Sequence, residues 1–149
     1  RLAVVGGGAG SIELALAMAH RLKELSVEIG LWCAAPEILQ TYNVRARRAV
    51  LAALQRHNIR VHCNARVAAV EEACLVLADG TRAAYDELFW CTGAAAAPWI
   101  ASSGLPLAAQ GFLAVTDTLQ SVADERVFGA GDSSILKSSA IMSGARHGK

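Results

Sequence analysis

Val4-Val5-Gly6-Gly7-Gly8-Ala9-Gly10-Ser11-Ile12-Glu13-Leu14-Ala15 is the stretch on which the reading of this 149-residue chain turns. Leu2 to Val5 before it is a short apolar run, the pattern of a strand buried on both faces. Gly6 to Gly10 then form a turn of small residues. From Ser11 to Leu25 the spacing predicts a helix, with Ile12, Ala15, Leu16, Ala19 and Leu22 on its apolar face. Gly6, Gly8 and Ser11 take the three positions of G-x-G-x-x-G. The first glycine permits the tight turn, and the second has no Cβ, so a pyrophosphate can approach the backbone. The helix N-terminus behind them offers free N–H groups and about half a positive charge. The third position normally holds Gly for helix–strand packing. Ser11 is small enough to keep that packing, and its hydroxyl is expected to cap a free N–H.

Working outward, Val27 to Cys33 reads as a second strand, broken by Ala34-Ala35-Pro36. Val44 to His57 is a second helix, with Val50, Leu51 and Leu54 inward and Arg45, Arg48, Gln55 and Arg56 outward. Ile59 to Cys63 is a third strand. This β-α-β-α-β order predicts a right-handed, doubly wound α/β unit with helices on both faces of a parallel sheet. The pattern then changes. Ala65 to Val70, Cys74 to Leu77 and Thr81 to Tyr85 read as an antiparallel meander, with Asp79-Gly80 as a two-residue hairpin turn. Leu88 to Cys91 returns as a fourth core strand ending at Thr92-Gly93, and Ala94 to Pro98 is a loop. Phe112 to Val115 and Val127 to Phe128 read as strands, the second running into Gly129-Ala130-Gly131-Asp132. Ser138 to His147 is expected to be a helix.

Composition excludes several classes. Fourteen basic residues face 13 acidic ones, a net charge of +1, which leaves no basic footprint for nucleic acid or an anionic membrane surface. No apolar run approaches the 18 or so residues of a membrane span. Alanine occurs 30 times within a hydrophobic fraction of 54%, which points to close packing of helices on a sheet. Cys33, Cys63, Cys74 and Cys91 form no C-x-x-C and no zinc spacing, and read as free thiols of a reducing, cytoplasmic compartment. His20, His57, His62 and His147 are too scattered for a metal site or a catalytic triad, so no metal and no catalytic residue is assigned. The chain begins with a strand-like run at Arg1 and ends at Gly148-Lys149 within a predicted helix, and reads as an excised piece of a longer protein.

Taken together, the Gly6–Ser11 turn with Glu13 after it, the Asp79-Gly80-Thr81 hairpin, the return strand into Thr92-Gly93, Val127-Phe128-Gly129-Ala130-Gly131-Asp132 and Arg146-His147-Gly148 resemble the NAD(P)H-binding domain of the pyridine nucleotide-disulfide oxidoreductase superfamily. Trp90-Cys91-Thr92-Gly93-Ala94-Ala95-Ala96 followed by Pro98-Trp99 looks closest to type II NADH dehydrogenases and to the FAD reductases fused to selenide, water dikinase. The resemblance implies a Rossmann-like NAD(P)H domain over residues 1–102 and part of an FAD domain over residues 103–149. It implies nicotinamide dinucleotide binding by Gly6, Gly7, Gly8, Ala9, Gly10, Ser11 and Ile12, with Glu13 near the nicotinamide end and Thr92 and Gly93 at the next turn. Gly131 and Asp132 would bind FAD, and only in the full-length protein, because the first FAD turn would lie upstream of Arg1. The chain would hold NAD(P)H for hydride transfer to flavin and on to an unidentified acceptor. Phe112, Leu113 and Val127, left exposed in half an FAD domain, would favour a homo-oligomer, and the full-length protein has membrane association as an option.

Three alternatives stand beside this reading. Cys33 takes the place after the second strand where an NAD-preferring unit carries a ribose-binding acid, so the residues favour neither NADH nor NADPH. That loss also suits a nucleotide-binding or purely structural domain without catalysis. Gly6-x-Gly8-x-Gly10 fits a methyltransferase turn too, but Val5 stands where that class places an acid. For Glu13 the competing role is a first-turn carboxylate stabilised by the helix dipole.

Overall fold

The computed structural model describes residues 1–93 and 95–136. The chain divides into two units, Arg1–Gly93 and Ala94–Lys149.

In the first unit, four parallel strands stand in the order β3-β2-β1-β7: β1 Leu2–Val5, β2 Ile29–Trp32, β3 Arg60–His62 and β7 Glu87–Trp90. β1 is central, and Ala3, Val4 and Val5 are buried because both faces of the sheet are covered. Helix α1, Ala9–Arg21, follows β1, and helix α2, Val44–Arg56, follows β2. Asn43 starts α2, its Oδ1 accepting from the Ala46 N–H at 2.9 Å. Ile12 and Ala15 of α1 and Leu54 of α2 share one core cluster with Val4 and Leu31. Both helices therefore lie on the same face of the sheet.

That corrects the expectation of helices on both faces. The other face presents Ala3, Val5 and Trp32, which pack against Ala65, Leu75 and Tyr85. The cover there is the meander, a separate sheet in the order β4-β5-β6: β4 Val67–Glu71, β5 Cys74–Leu77 and β6 Arg82–Ala84. Its apolar residues alternate, so one face of a small antiparallel sheet does the work of a helix. The doubly wound parallel sheet with an inserted meander is otherwise as expected. The hairpin differs in its length. The Leu77 N–H donates to the Thr81 carbonyl, leaving Ala78, Asp79 and Gly80 as a three-residue connection. Gly80 takes φ +86°, the left-handed position such a loop requires. Tyr85 closes the meander by donating its hydroxyl to the Glu71 carbonyl at 2.6 Å, and Arg82 pairs with the Glu71 carboxylate.

In the second unit, a single helical turn α3, Pro98–Ala101, follows the Ala95–Ala97 loop, with Pro98 at its first position. Strands β8, Leu113–Val115, and β9, Ser134–Leu136, pair in parallel. Ile100, Leu113 and Val115 are buried together, with Leu105, Val127 and Leu136 packed on them. Phe112 and Leu113, expected at the surface, are each 6% exposed, and the large apolar side chains exposed among the described residues of this unit are instead Trp99, Leu107, Leu119 and Phe128. The strand expected at Val127–Phe128 is also corrected: Phe128 makes one isolated bridge to Gln120, and the Val127 N–H closes a turn on the Asp124 carbonyl. The strand comes after the glycine motif, as β9, rather than before it. The helix expected at Ser138 to His147 and the Arg146-His147-Gly148 motif lie outside the described residues.

Candidate functional site

The turn after β1 is shaped by what stands on either side of it. β2 and β7 both pair with β1, so the chain leaves β1 at the point where neighbouring connections diverge, the usual ligand crevice of an open α/β sheet. Gly6 takes φ +148°, and a Cβ there would lie 2.2 Å from the carbonyl oxygen of Cys91. Only glycine fits. Cys91 in turn donates its N–H to the Val5 carbonyl at 2.8 Å, which brings exposed Thr92 and Gly93 out beside the same turn.

The next positions are open. A Cβ on Gly8 or on Gly10 would meet nothing within 4 Å. Gly8 is the N-cap of α1, and no side chain caps the helix. The first-turn N–H groups of a helix have no intrahelical acceptor, so Ala9 and Gly10, which are not buried, leave donors for a ligand at the open end of α1. This is a cradle that a Cβ would begin to fill, and it suits a pyrophosphate. Ser11 does not cap a free N–H, as its residue type suggested. It is 1% exposed and donates its hydroxyl to the Gly8 carbonyl at 2.7 Å. The serine thus braces the turn from inside and leaves the helix donors available. Ile12 is buried in the core below. Glu13 is exposed and is the fifth residue of α1, which begins at Ala9, so it lies past the first turn. The dipole-stabilised reading of Glu13 loses its position.

Cys33 stands at the end of β2 with its sulfur 2.3 Å from where a Gly7 Cβ would be. It is 2% exposed, and its thiol donates to the Glu37 carbonyl at 3.6 Å. Gly7 is therefore held from below by Cys33. It is also held from the side, since the Leu39 N–H donates to the Gly7 carbonyl at 2.8 Å. Ile38 and Leu39 are buried, and Glu37 pairs with Arg47 of α2. Sequence reasoning passed over this supporting loop. Its signal was the apolar pair Ile38-Leu39 among Glu37, Gln40, Thr41 and Asn43. Cys63, at the end of β3, packs on the same cluster as Cys33. Burial pushes the Cys63 thiol above the ordinary thiol range, and the neighbouring Cys33 thiol adds to the shift.

The structure thus gathers Gly6 to Glu13, Cys33, Thr92 and Gly93 within the first unit. Gly131 and Asp132 belong to the second, where Gly131 takes φ +64° and both residues are exposed in a one-turn 3-10 helix, Gly131–Ser133. Among the described residues no group of three or more His, Cys, Asp or Glu is placed to hold a metal ion. No described helix is long and apolar enough to cross a membrane.

The family model for pyridine nucleotide-disulphide oxidoreductases matches residues 1–147. The chain belongs to that family. A curated relative, the type II NADH:quinone oxidoreductase of Haemophilus influenzae, is 27% identical over 147 residues, covering 91% of this chain and 33% of that protein. The chain thus spans about a third of the relative's length. Solved structures share the fold. Water-forming NADH oxidase from Lactobacillus brevis, bound to NADH, superposes with a TM-score of 0.74 at 18% identity, covering 90% of this chain and 30% of that one. LpdA from Mycobacterium tuberculosis gives 0.72 at 21% identity, covering 89% and 29%. Membership of the family accounts for the meander and for the glycine turn in one chain, which the methyltransferase alternative left unrelated.

Proposed function

We propose that this chain is the NAD(P)H-binding module of an FAD-dependent oxidoreductase, which holds the nicotinamide for hydride transfer to flavin and onward to an acceptor. The observation that carries this reading is the uncapped turn at Gly8 to Gly10, open to solvent at the crevice beside β1. Gly6 makes the turn, Gly8 and Gly10 leave room for the pyrophosphate, and Ser11 keeps the helix donors free. Glu13 and the Thr92-Gly93 turn border the path toward the nicotinamide. Gly131 and Asp132 of the second unit would meet FAD in the full-length protein. The nicotinamide and flavin supply the hydride chemistry when bound, and the protein positions them. The name of the Haemophilus relative makes a quinone the first acceptor class to try.

The reading extends to compartment and assembly. Four free cysteines suit a reducing cytoplasm. Trp99 and Phe128, 69% and 64% exposed, offer apolar surface that a second copy would cover.

Gly8→Ala tests the turn. The added methyl enters open space with φ near −89°, so folding stability should stay within about 0.5 kcal/mol. NADH and NADPH affinity, by calorimetric titration, should fall at least about tenfold, or 1.4 kcal/mol. Unchanged affinity in a stable variant would remove the turn from the site.

A further inference from the structure

We propose that Cys33 and Cys63 form a reversible dithiol–disulfide site beneath the dinucleotide turn, whose oxidation by a hydroperoxide weakens nucleotide binding; the second half of this statement rests on the function proposed above. Trp32 and His62 are partners in the parallel ladder of β2 and β3, and their rings stack on one face at 4.9 Å. Side chains alternate along a strand. The next residues, Cys33 and Cys63, therefore share the opposite face, where both pack into the helix-side core. The Cys33 N–H still donates to the His62 carbonyl at 2.8 Å, so the backbones remain adjacent there. Neighbouring strands lie about 4.8 Å apart, inside the window of about 4.4–6.8 Å between Cα atoms that a disulfide spans. The Cys33 thiol lies close enough to the Cys63 thiol to add to its upward shift.

Their exposure divides the chemistry. Cys63 is partly exposed and Cys33 is buried. Burial keeps the Cys63 thiolate a minor form at neutral pH, so oxidation quickens as pH rises. That thiolate attacks one oxygen of hydrogen peroxide, breaking the O–O bond, and becomes a sulfenic acid as the other oxygen leaves with a proton as water. Cys33 sulfur then attacks the Cys63 sulfur and the S–O bond breaks. The sulfenic oxygen leaves as a second water with the remaining thiol proton. Two thiols are oxidised by two electrons, and one hydroperoxide is reduced.

The consequence follows from what the Cys33 sulfur holds in its reduced form. It lies against Gly7 and donates to Glu37 in the loop whose Leu39 bonds to the Gly7 carbonyl. The Ile38 N–H of that loop faces the Cys63 sulfur. Drawing the two sulfurs together removes the support under Gly7 and alters the hold on residues 37–39 at the same time. By linkage, saturating nucleotide opposes the disulfide by the same factor as the disulfide opposes nucleotide.

The test uses the whole 149-residue chain, reduced and then treated with hydrogen peroxide. Intact mass and peptide mapping should show loss of two hydrogen atoms and a Cys33–Cys63 link, reversed by dithiothreitol. A link through Cys74 or Cys91, or Cys33 and Cys63 both remaining open to alkylation after unfolding, overturns the site. NADH affinity should fall about tenfold on oxidation and return on reduction. Cys63→Ala should bind NADH equally well before and after peroxide. Equal affinity of the reduced and linked wild type overturns the coupling. Failure of the reduced chain to bind either NADH or NADPH refutes the nucleotide-binding function and the coupling together, while the mass readout judges the disulfide independently.

Discussion

Gly6 and Gly8 sit two residues apart and ask for glycine for opposite reasons. At Gly6 the restraint is inside the protein, a left-handed φ and the Cys91 carbonyl. At Gly8 a Cβ would meet only open space, and the reason lies outside, in the pyrophosphate of the proposed function. Gly6→Ala should therefore cost about 1–3 kcal/mol in backbone strain alone, seen as a lower midpoint in urea with or without nucleotide. Ser11→Ala should cost about 1 kcal/mol, the net worth of one buried hydrogen bond, because the Gly8 carbonyl loses the nearer of its two donors and keeps only the Ile12 N–H. Cys63 makes a pH-dependent contribution. Its thiol is raised by burial, then by the Cys33 thiol. The folded state thus binds that proton more tightly than the unfolded chain does. The resulting stability is complete below the ordinary thiol value of about 8.5 and is lost as pH rises through the raised folded value. Melting temperatures taken between neutral and alkaline pH should fall less steeply for Cys63→Ala than for wild type.

Helix α2 and the meander were legible for different reasons. Val44 to Arg56 carries its apolar residues at helical spacing, while the Asn43 cap at its start emerged only with the structure. Asn43→Ala should cost about 1 kcal/mol, measurable by thermal melting. In the meander the short apolar run Cys74 to Leu77 marked the strand, and Gly80 marked the turn. What one strand's pattern leaves out is the surface it will meet. Leu75 is fully buried under Ala3, Val5 and Trp32 of the other sheet. Leu75→Ala should cost about 2–5 kcal/mol through the cavity it leaves, well beyond the loss of the α2 cap. A loss below 1 kcal/mol, read by urea titration, would mean that the two sheets are not packed as described. Val127–Phe128 failed as a strand because two apolar residues fix no partner. The Asp124 turn and the Gly129 N–H bond to Leu119 commit the backbone elsewhere.

On the proposed function the chain carries one nicotinamide turn and one part of a flavin site. The purified 149-residue chain should therefore bind NADH without retaining FAD. Flavin absorbance near stoichiometry in a purified preparation would contradict this. The residue directly after β2 is Cys33 rather than a carboxylate, and it is buried under Gly7. NADH and NADPH should accordingly bind with affinities within about tenfold of each other, as measured by parallel calorimetric titrations. A strong preference for NADH would mean that another residue reaches the adenosine ribose.

Local sequence was enough wherever a constraint acts within a few residues. The β1–turn–α1 unit and the left-handed Gly80 each follow from residue types and short spacings, because backbone sterics and helix periodicity are local. The α/β order and the family's motifs followed from the same kind of reading. Tertiary structure decided the rest. It placed a second sheet, instead of helices, on the far face of β1 and turned the Ser11 hydroxyl inward to Gly8. It also buried Cys33 under Gly7 and brought Cys63 beside it from thirty residues away. Each of these depends on which strand neighbours which, and a parallel sheet joins segments whose spacing along the chain carries no mark of their pairing.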